Sequence, residues 1–181
     1  MSLKNKSKFL SYVLRHKPDE FGLTLAEGGW VSVDALMKAC DFTKEELDEI
    51  VATDSKGRYS YDSNGNIRAN QGHSTDVEMN FKESVPPDVL HHGTGVKNRI
   101  AILDGGLKKM NRQYVHLSSD LETATKVGYR HGKPYIFDID SKKMYEDGFK
   151  FYKSDNGVWL TDHVDTQYFI RHYYSSIWNT L

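Results

Sequence analysis

Apolar side chains in the N-terminal third recur at helical spacing, and further on they alternate or gather in short blocks. Within residues 6–15, Phe9 and Val13 stand four apart, as do Leu10 and Leu14, which puts one buried stripe on a short helix. Pro18 stops it, because proline disfavours helical backbone at Lys17. Arg15 and His16 therefore fall at its last turn, where basic groups complement the negative end of the helix dipole whatever else they do. Gly28-Gly29 turns the chain into a short strand at Trp30–Ser32, and residues 33–39 carry Val33, Leu36 and Met37 on one helical face. Thr43 and Glu46 form a capping box for a third helix with the stripe Leu47, Ile50, Val51. Residues 58–62 alternate, Ser63-Asn64-Gly65-Asn66 has turn chemistry, and residues 67–70 return as a second strand. Three helices and a hairpin predict a winged-helix lobe over residues 1–80. The polar stretch from Thr75 to Pro87 predicts the connector.

Residues 81–181 predict a β-rich lobe with short helices, so the chain as a whole reads as α+β. Val89-Leu90-His91-His92 is an apolar run that ends at Gly93-Thr94, as a strand does where its backbone must closely approach a ligand. A helix follows near Val96 to Leu103, ended by Gly105-Gly106. In Tyr114-Val115-His116-Leu117-Ser118, alternation sets His116 on the face opposite Val115 and Leu117. Asp120 caps a helix over residues 121–127. Strands follow at residues 134–139, 149–152 and 158–160, and Gln167 to Trp178 fits either strand or helix.

Composition narrows the classes. A chain of 181 residues with net charge −1 carries no overall field toward nucleic acid or lipid, so any anion site must be a local cluster of Arg and Lys. The single Cys40 leaves no internal disulfide and fits a reducing compartment. No apolar run approaches the ~20 residues that span a bilayer, and the first residues lack a signal-peptide core, so the expectation is a cytoplasmic protein without a membrane. His91 and His92 do not suggest metal, because adjacent strand residues point to opposite faces and no Cys or Glu stands at ligand spacing. Dinucleotide and phosphate-loop glycine fingerprints are absent from the sequence. What remains is a set of basic groups at defined places, Arg15, His16, Arg58 and Arg112. Arginine forks grip phosphate bidentately and keep their charge.

These residues lie within a longer correspondence. Leu14-Arg15-His16-Lys17-Pro18, Gly57-Arg58-Tyr59, residues 67–74, His92-Gly93-Thr94, residues 114–118 and residues 127–134 occur in the order seen in the RNA 2'-phosphotransferase family of KptA type. The chain resembles that family from about residue 6 to about residue 165. The resemblance implies a winged-helix RNA-binding lobe, an ADP-ribosyltransferase-like NAD-binding lobe, and an active site drawing on both. It implies that an internal RNA 2'-phosphate attacks the anomeric carbon of the nicotinamide ribose of NAD and expels nicotinamide. The neighbouring ribose hydroxyl then attacks phosphorus, leaving 2'-OH RNA and ADP-ribose 1'',2''-cyclic phosphate. NAD is thus a co-substrate, no metal is called for, and RNA bearing an internal 2'-phosphate is the partner. By the same resemblance Arg15, His16, Arg58 and Arg112 serve the 2'-phosphate and the second-step transition state, with His16 a candidate acid or base. His92, Gly93, Thr94, His116 and Ser118 hold the ribose and nicotinamide. Gly128, Arg130, His131 and Gly132 line the site near the adenylate, residues 158–160 form an apolar wall, and Arg68 with residues 71–74 joins the lobes.

Two other functions compete: ADP-ribosylation of a protein or of a terminal nucleic-acid phosphate, and non-catalytic nucleic-acid binding. The sequence has no Glu-x-Glu pair of the protein-modifying kind, and it keeps all four basic residues and both histidines. Nothing in it requires more than a monomer.

Overall fold

The computed structural model describes residues 2–175. The chain is α+β with small antiparallel sheets and divides into two compact units, Met1–Asn80 and Phe81–Leu181. Among the described residues no helix is long and apolar enough to cross a membrane.

In the first unit, α1 (Leu3–Arg15) begins one turn earlier than the apolar stripe alone suggested, because Ser2 caps it by accepting from the Asn5 N–H. His16 is its C-cap residue. β1 (Trp30–Ser32) leads directly into α2 (Val33–Cys40), and the Thr43–Glu46 capping box opens α3 (Lys44–Ala52) with both reciprocal hydrogen bonds made. β2 (Tyr59–Tyr61) and β3 (Asn66–Ala69) form the hairpin, and β3 takes the central place in the sheet β1-β3-β2. The helical stripes converge, with Leu10, Leu14, Leu36, Leu47, Ile50 and Ile67 almost wholly buried in one core. Tyr59 ties the hairpin to α1, its hydroxyl donating to the Ser7 carbonyl at 2.7 Å and lying 2.5 Å from Ser11 Oγ.

The second unit is built on β4 (Val89–Gly95), which pairs antiparallel with β7 (Pro134–Asp140), itself paired with β11 (Phe169–Tyr174). α4 (Arg99–Gly105) follows a 3-10 turn at Val96–Asn98. The two-residue strands β5 (Leu107–Lys108) and β10 (His163–Val164) form a sheet that the apolar pattern did not reveal, since two residues show no period. β6 (Val115–Leu117), β8 (Tyr152–Lys153) and β9 (Trp159–Thr161) make a third sheet, in the order β6-β9-β8. α5 (Leu121–Tyr129) starts at Asp120, whose carboxylate accepts from the Thr123 N–H at 2.7 Å, and packs on β4 and β7. α6 (Ser141–Glu146) went unforeseen, being short and burying one large apolar residue, Met144.

Three expectations need correction. The strand expected to end at His92 runs on to Gly95. The strand expected over residues 149–152 is confined to Tyr152–Lys153, because Lys150 and Phe151 give their carbonyls to Thr161 Oγ1 and to the Ser84 N–H instead of to a ladder. Of the ambiguous run from Gln167, the described part is a 3-10 turn at Thr166–Tyr168 and then β11; Trp178 lies outside the described residues.

Candidate active site

In the first unit the chain brings Arg15, His16, Arg68 and His73 together at the C-terminal end of α1. Gly72 lies over the Arg15 side chain, and a methyl group added there would sit 3.7 Å from its guanidinium carbon. The backbone N–H groups of Ser74 and Thr75 both donate to the Arg15 carbonyl, at 2.9 and 3.2 Å, satisfying an orphan acceptor of the helix end. Ser74 Oγ meets His16 Nδ1 at 2.8 Å. His73 is 1% exposed, and neither of its ring nitrogens has a hydrogen-bond partner. Burial first, then the fields of Arg15, His16 and Arg68, push its pKa down to about 3, so the ring is neutral at ordinary pH. Arg68 lies over the Trp30 ring at 4.5 Å and donates to the Gly28 carbonyl, which fixes it as part of the fold of this unit.

Arg58 is held by Asp54. Its Nε and one terminal nitrogen both lie 2.9 Å from Asp54 Oδ1, while its backbone N–H bonds the other carboxylate oxygen. Burial opposes ionisation of Asp54, but the hydrogen bonds and charge of Arg58 outweigh it and hold the carboxyl below its usual range. The arginine fork is thus braced on one edge by a buried anion, and its side chain stays partly open to solvent.

In the second unit, His92 and His116 lie on neighbouring strands. The backbones of His91 and Ser118 exchange two hydrogen bonds of 2.8 Å, which tie β4 to the end of β6. His92 Nδ1 is 3.1 Å from the His116 carbonyl, and His116 Nδ1 is 3.0 Å from the Tyr114 carbonyl. A carbonyl only accepts, so each Nδ1 carries the proton, and Nε2 of a neutral ring is then an acceptor. Burial, followed by the charges of Arg112 and His131, lowers the His92 pKa against the opposing carbonyl hydrogen bond. Arg112 is depressed in turn by burial and by Arg130, though much of its side chain remains open to solvent. His92, Arg112, Arg130 and His131 therefore share one electrostatic neighbourhood, drawn from three separated stretches of the chain. The guanidiniums of Arg112 and Arg130 favour an anion there.

Other expected residues have structural duties here. Gly93 is buried mid-strand, and a methyl group there would lie 1.7 Å from the Ala124 carbonyl oxygen of α5. The close approach at Gly93 is thus made by a helix. Gly128 answers it from the helix side, where a methyl group would lie 2.9 Å from the Thr94 carbonyl oxygen. Thr94 is itself buried and accepts from Asn98 Nδ2 at 3.0 Å. Arg130, His131 and Gly132 form an exposed turn after α5, with Gly132 at φ +117°. Ser118 is half-buried beside His91. Trp159 and Leu160 are buried in β9.

Sequence reasoning missed Asp54 and Asp138. Asp54 sits in a turn, where the four-residue spacing to Arg58 signifies nothing without the fold. Asp138 did leave a signal, a lone acid inside the apolar run of β7. It is 1% exposed and accepts from Arg171 Nε and Tyr173, while His91 Nδ1 lies 2.6 Å away, so three strands are cross-tied at one carboxylate. That pairing takes His91 away from the His92 side of the strand. Among the described residues no three His, Cys, Asp or Glu side chains converge as a metal-ligand set.

Comparison with known proteins adds identity to this geometry. A family model described as "RNA 2'-phosphotransferase, Tpt1 / KptA family" matches residues 2–163. A protein of Trichormus variabilis named "Probable RNA 2'-phosphotransferase" is 52% identical over 168 residues, covering 90% of this chain and 92% of that protein. Proteins of the same name from Flavobacterium johnsoniae and Acaryochloris marina are 50% and 47% identical, covering 91% and 93% of this chain and 94% and 96% of their own lengths.

Proposed function

The chain belongs to the RNA 2'-phosphotransferase, Tpt1 / KptA family, and from that premise we propose that it removes an internal 2'-phosphate from RNA by transferring it to the ADP-ribose part of NAD. The products are 2'-OH RNA, nicotinamide and ADP-ribose 1'',2''-cyclic phosphate. The first unit is a winged-helix lobe, a reading supported by its element order α1-β1-α2-α3-β2-β3. The second is an ADP-ribosyltransferase-like lobe that takes the dinucleotide.

The observation that carries this reading is the neighbourhood of His92. A neutral imidazole offering Nε2 as an acceptor suits a sugar hydroxyl, and Arg112, Arg130 and His131 beside it suit phosphate oxygens. Together they fit a dinucleotide, with His92 and His116 on the nicotinamide ribose, and Gly128, Arg130, His131 and Gly132 toward the adenylate. Gly93, Thr94 and Ser118 shape the strands that present those groups. NAD supplies an electrophilic sugar carbon with a good leaving group; the protein supplies position and field.

Arg15, His16 and Arg58 take the 2'-phosphate. The first step needs a phosphate dianion held in line without loss of its nucleophilicity, so positioning dominates. The second passes through a crowded, negatively charged phosphorus centre, which guanidiniums braced in advance stabilise without reorganisation. Arg58, fixed by Asp54, and Arg112 serve that centre, and Arg15 and His16 orient the phosphate.

The test is incubation with NAD and an RNA carrying one internal 2'-phosphate. Loss of the phosphate with appearance of the cyclic product is expected. Transfer of ADP-ribose without dephosphorylation, or RNA binding without NAD consumption, would overturn the proposal. Arg58→Ala is expected to slow the second step more than the first and to accumulate RNA-phospho-ADP-ribose, whereas His92→Ala raises the KM for NAD. Equal slowing of both steps would remove Arg58 from its assigned role, and an unchanged NAD dependence would remove His92.

A further inference from the structure

The motif Gln71-Gly72-His73-Ser74 has no role in the chemistry above, yet it is wrapped around two residues that do. Ser74 reaches across 58 residues of sequence to place its hydroxyl 2.8 Å from His16 Nδ1. The same residue, with Thr75, donates two backbone N–H groups to the Arg15 carbonyl. A methyl group on Gly72 would lie 3.7 Å from the Arg15 guanidinium, and His73, buried beside Gly29, anchors the segment in the unit. These are contacts to the backbone, one imidazole nitrogen and one guanidinium face of consecutive residues at a helix end. A helix end frays, since its last carbonyls lack intrahelical donors, and His16 is only the cap residue there. Beside the Tyr12 ring, whose centroid lies 6.4 Å from that of His16, the Ser74 hydroxyl adds a hydrogen-bond partner at Nδ1 and narrows the rotamers open to the imidazole.

We propose that Ser74 is a positioning residue for the phosphotransfer, setting the His16 imidazole through Nδ1 so that Nε2 is the nitrogen addressed to the phosphoryl group. This rests on the assignment of His16 to phosphate chemistry made above. Ser74 touches neither substrate; it acts through His16, and its neighbours in the segment keep it in register with the helix end.

The experiment compares Ser74→Ala, Ser74→Thr and His16→Ala in the full chain, with NAD and a 2'-phosphorylated RNA. Loss of one solvent-accessible hydrogen bond predicts a kcat about five- to tenfold lower in Ser74→Ala. The KM for NAD and the thermal midpoint stay near those of the parent, and Ser74→Thr, which keeps the hydroxyl, restores most of the rate. Parental kcat in Ser74→Ala alongside an inactive His16→Ala would overturn the positioning role and leave the function of His16 standing. An active His16→Ala would remove the assignment of His16 and this proposal with it. A fall in melting temperature that accounts for the lost rate, without rescue by threonine, would make Ser74 merely structural and also overturn it.

Discussion

At Gly93 the chain leaves no room for a side chain, and the reason is packing. A methyl group would overlap the Ala124 carbonyl of α5, which cannot move without shifting a helix that packs on both β4 and β7. Overpacking at backbone typically costs about 1–3 kcal/mol or more. Gly93→Ala is therefore expected to lower the thermal midpoint by at least several degrees, measured by calorimetry, before any effect on NAD binding is considered. A variant that melts with the parent would show that α5 tolerates displacement. The arginines illustrate the complementary case. Arg58 was identifiable as a basic residue at a strand start, but its brace, Asp54, is visible only after the turn between α3 and β2 has folded. The pairing of His91 with Asp138 was hidden for the same reason, although the lone acid in β7 was there to be read.

Among the elements, α3 sets a limit on how RNA is held. In helix–turn–helix proteins the second helix of the pair enters a groove and meets phosphates, and the helix in the corresponding place of the element order is α3. Here it carries Glu45, Glu46, Asp48 and Glu49 against a single lysine, Lys44. Glu46 is committed to the cap and to Lys6, and Asp48 to Lys44, which leaves Glu45 and Glu49 exposed one turn apart. Such a face repels a duplex, so α3 is poorly suited to lie in a nucleic-acid groove. Reversing both charges with Glu45→Lys and Glu49→Lys is expected to strengthen duplex RNA binding by about tenfold at low salt, an electrostatic gain that fades as salt rises. Dephosphorylation of a single-stranded 2'-phosphorylated oligonucleotide should be unaffected. If the reversal instead weakens RNA binding, α3 contacts the nucleic acid in the native protein.

For the whole molecule, the buried neutral histidines make stability fall toward acid pH. His73 has a folded pKa of about 3 against an ordinary 6.5, and His92 is shifted in the same direction. Between those values the unfolded chain binds more protons than the folded one, so stability falls as pH drops from about 6.5, by up to about 1.4 kcal/mol per unit from His73 alone. Asp54, with its depressed pKa, stabilises above its ordinary 3.8 and adds its loss only as the pH falls below that region. Denaturant midpoints measured from pH 7 to pH 4.5 should decline, and His73→Leu should flatten the decline; a slope unchanged by that variant would assign the acid lability elsewhere. The sequence by itself determined the helices and strands whose apolar period spans several residues, the caps at Thr43 and Asp120, and the family, because these rest on local spacing and ordered motifs. Only the tertiary structure decided what stands beside what: Ser74 on His16, Asp54 on Arg58, Asp138 on His91, and α5 on Gly93. Those contacts join positions far apart in the chain or reversed by a turn, and no periodicity along a sequence records which side chains a fold will bring within a few ångströms.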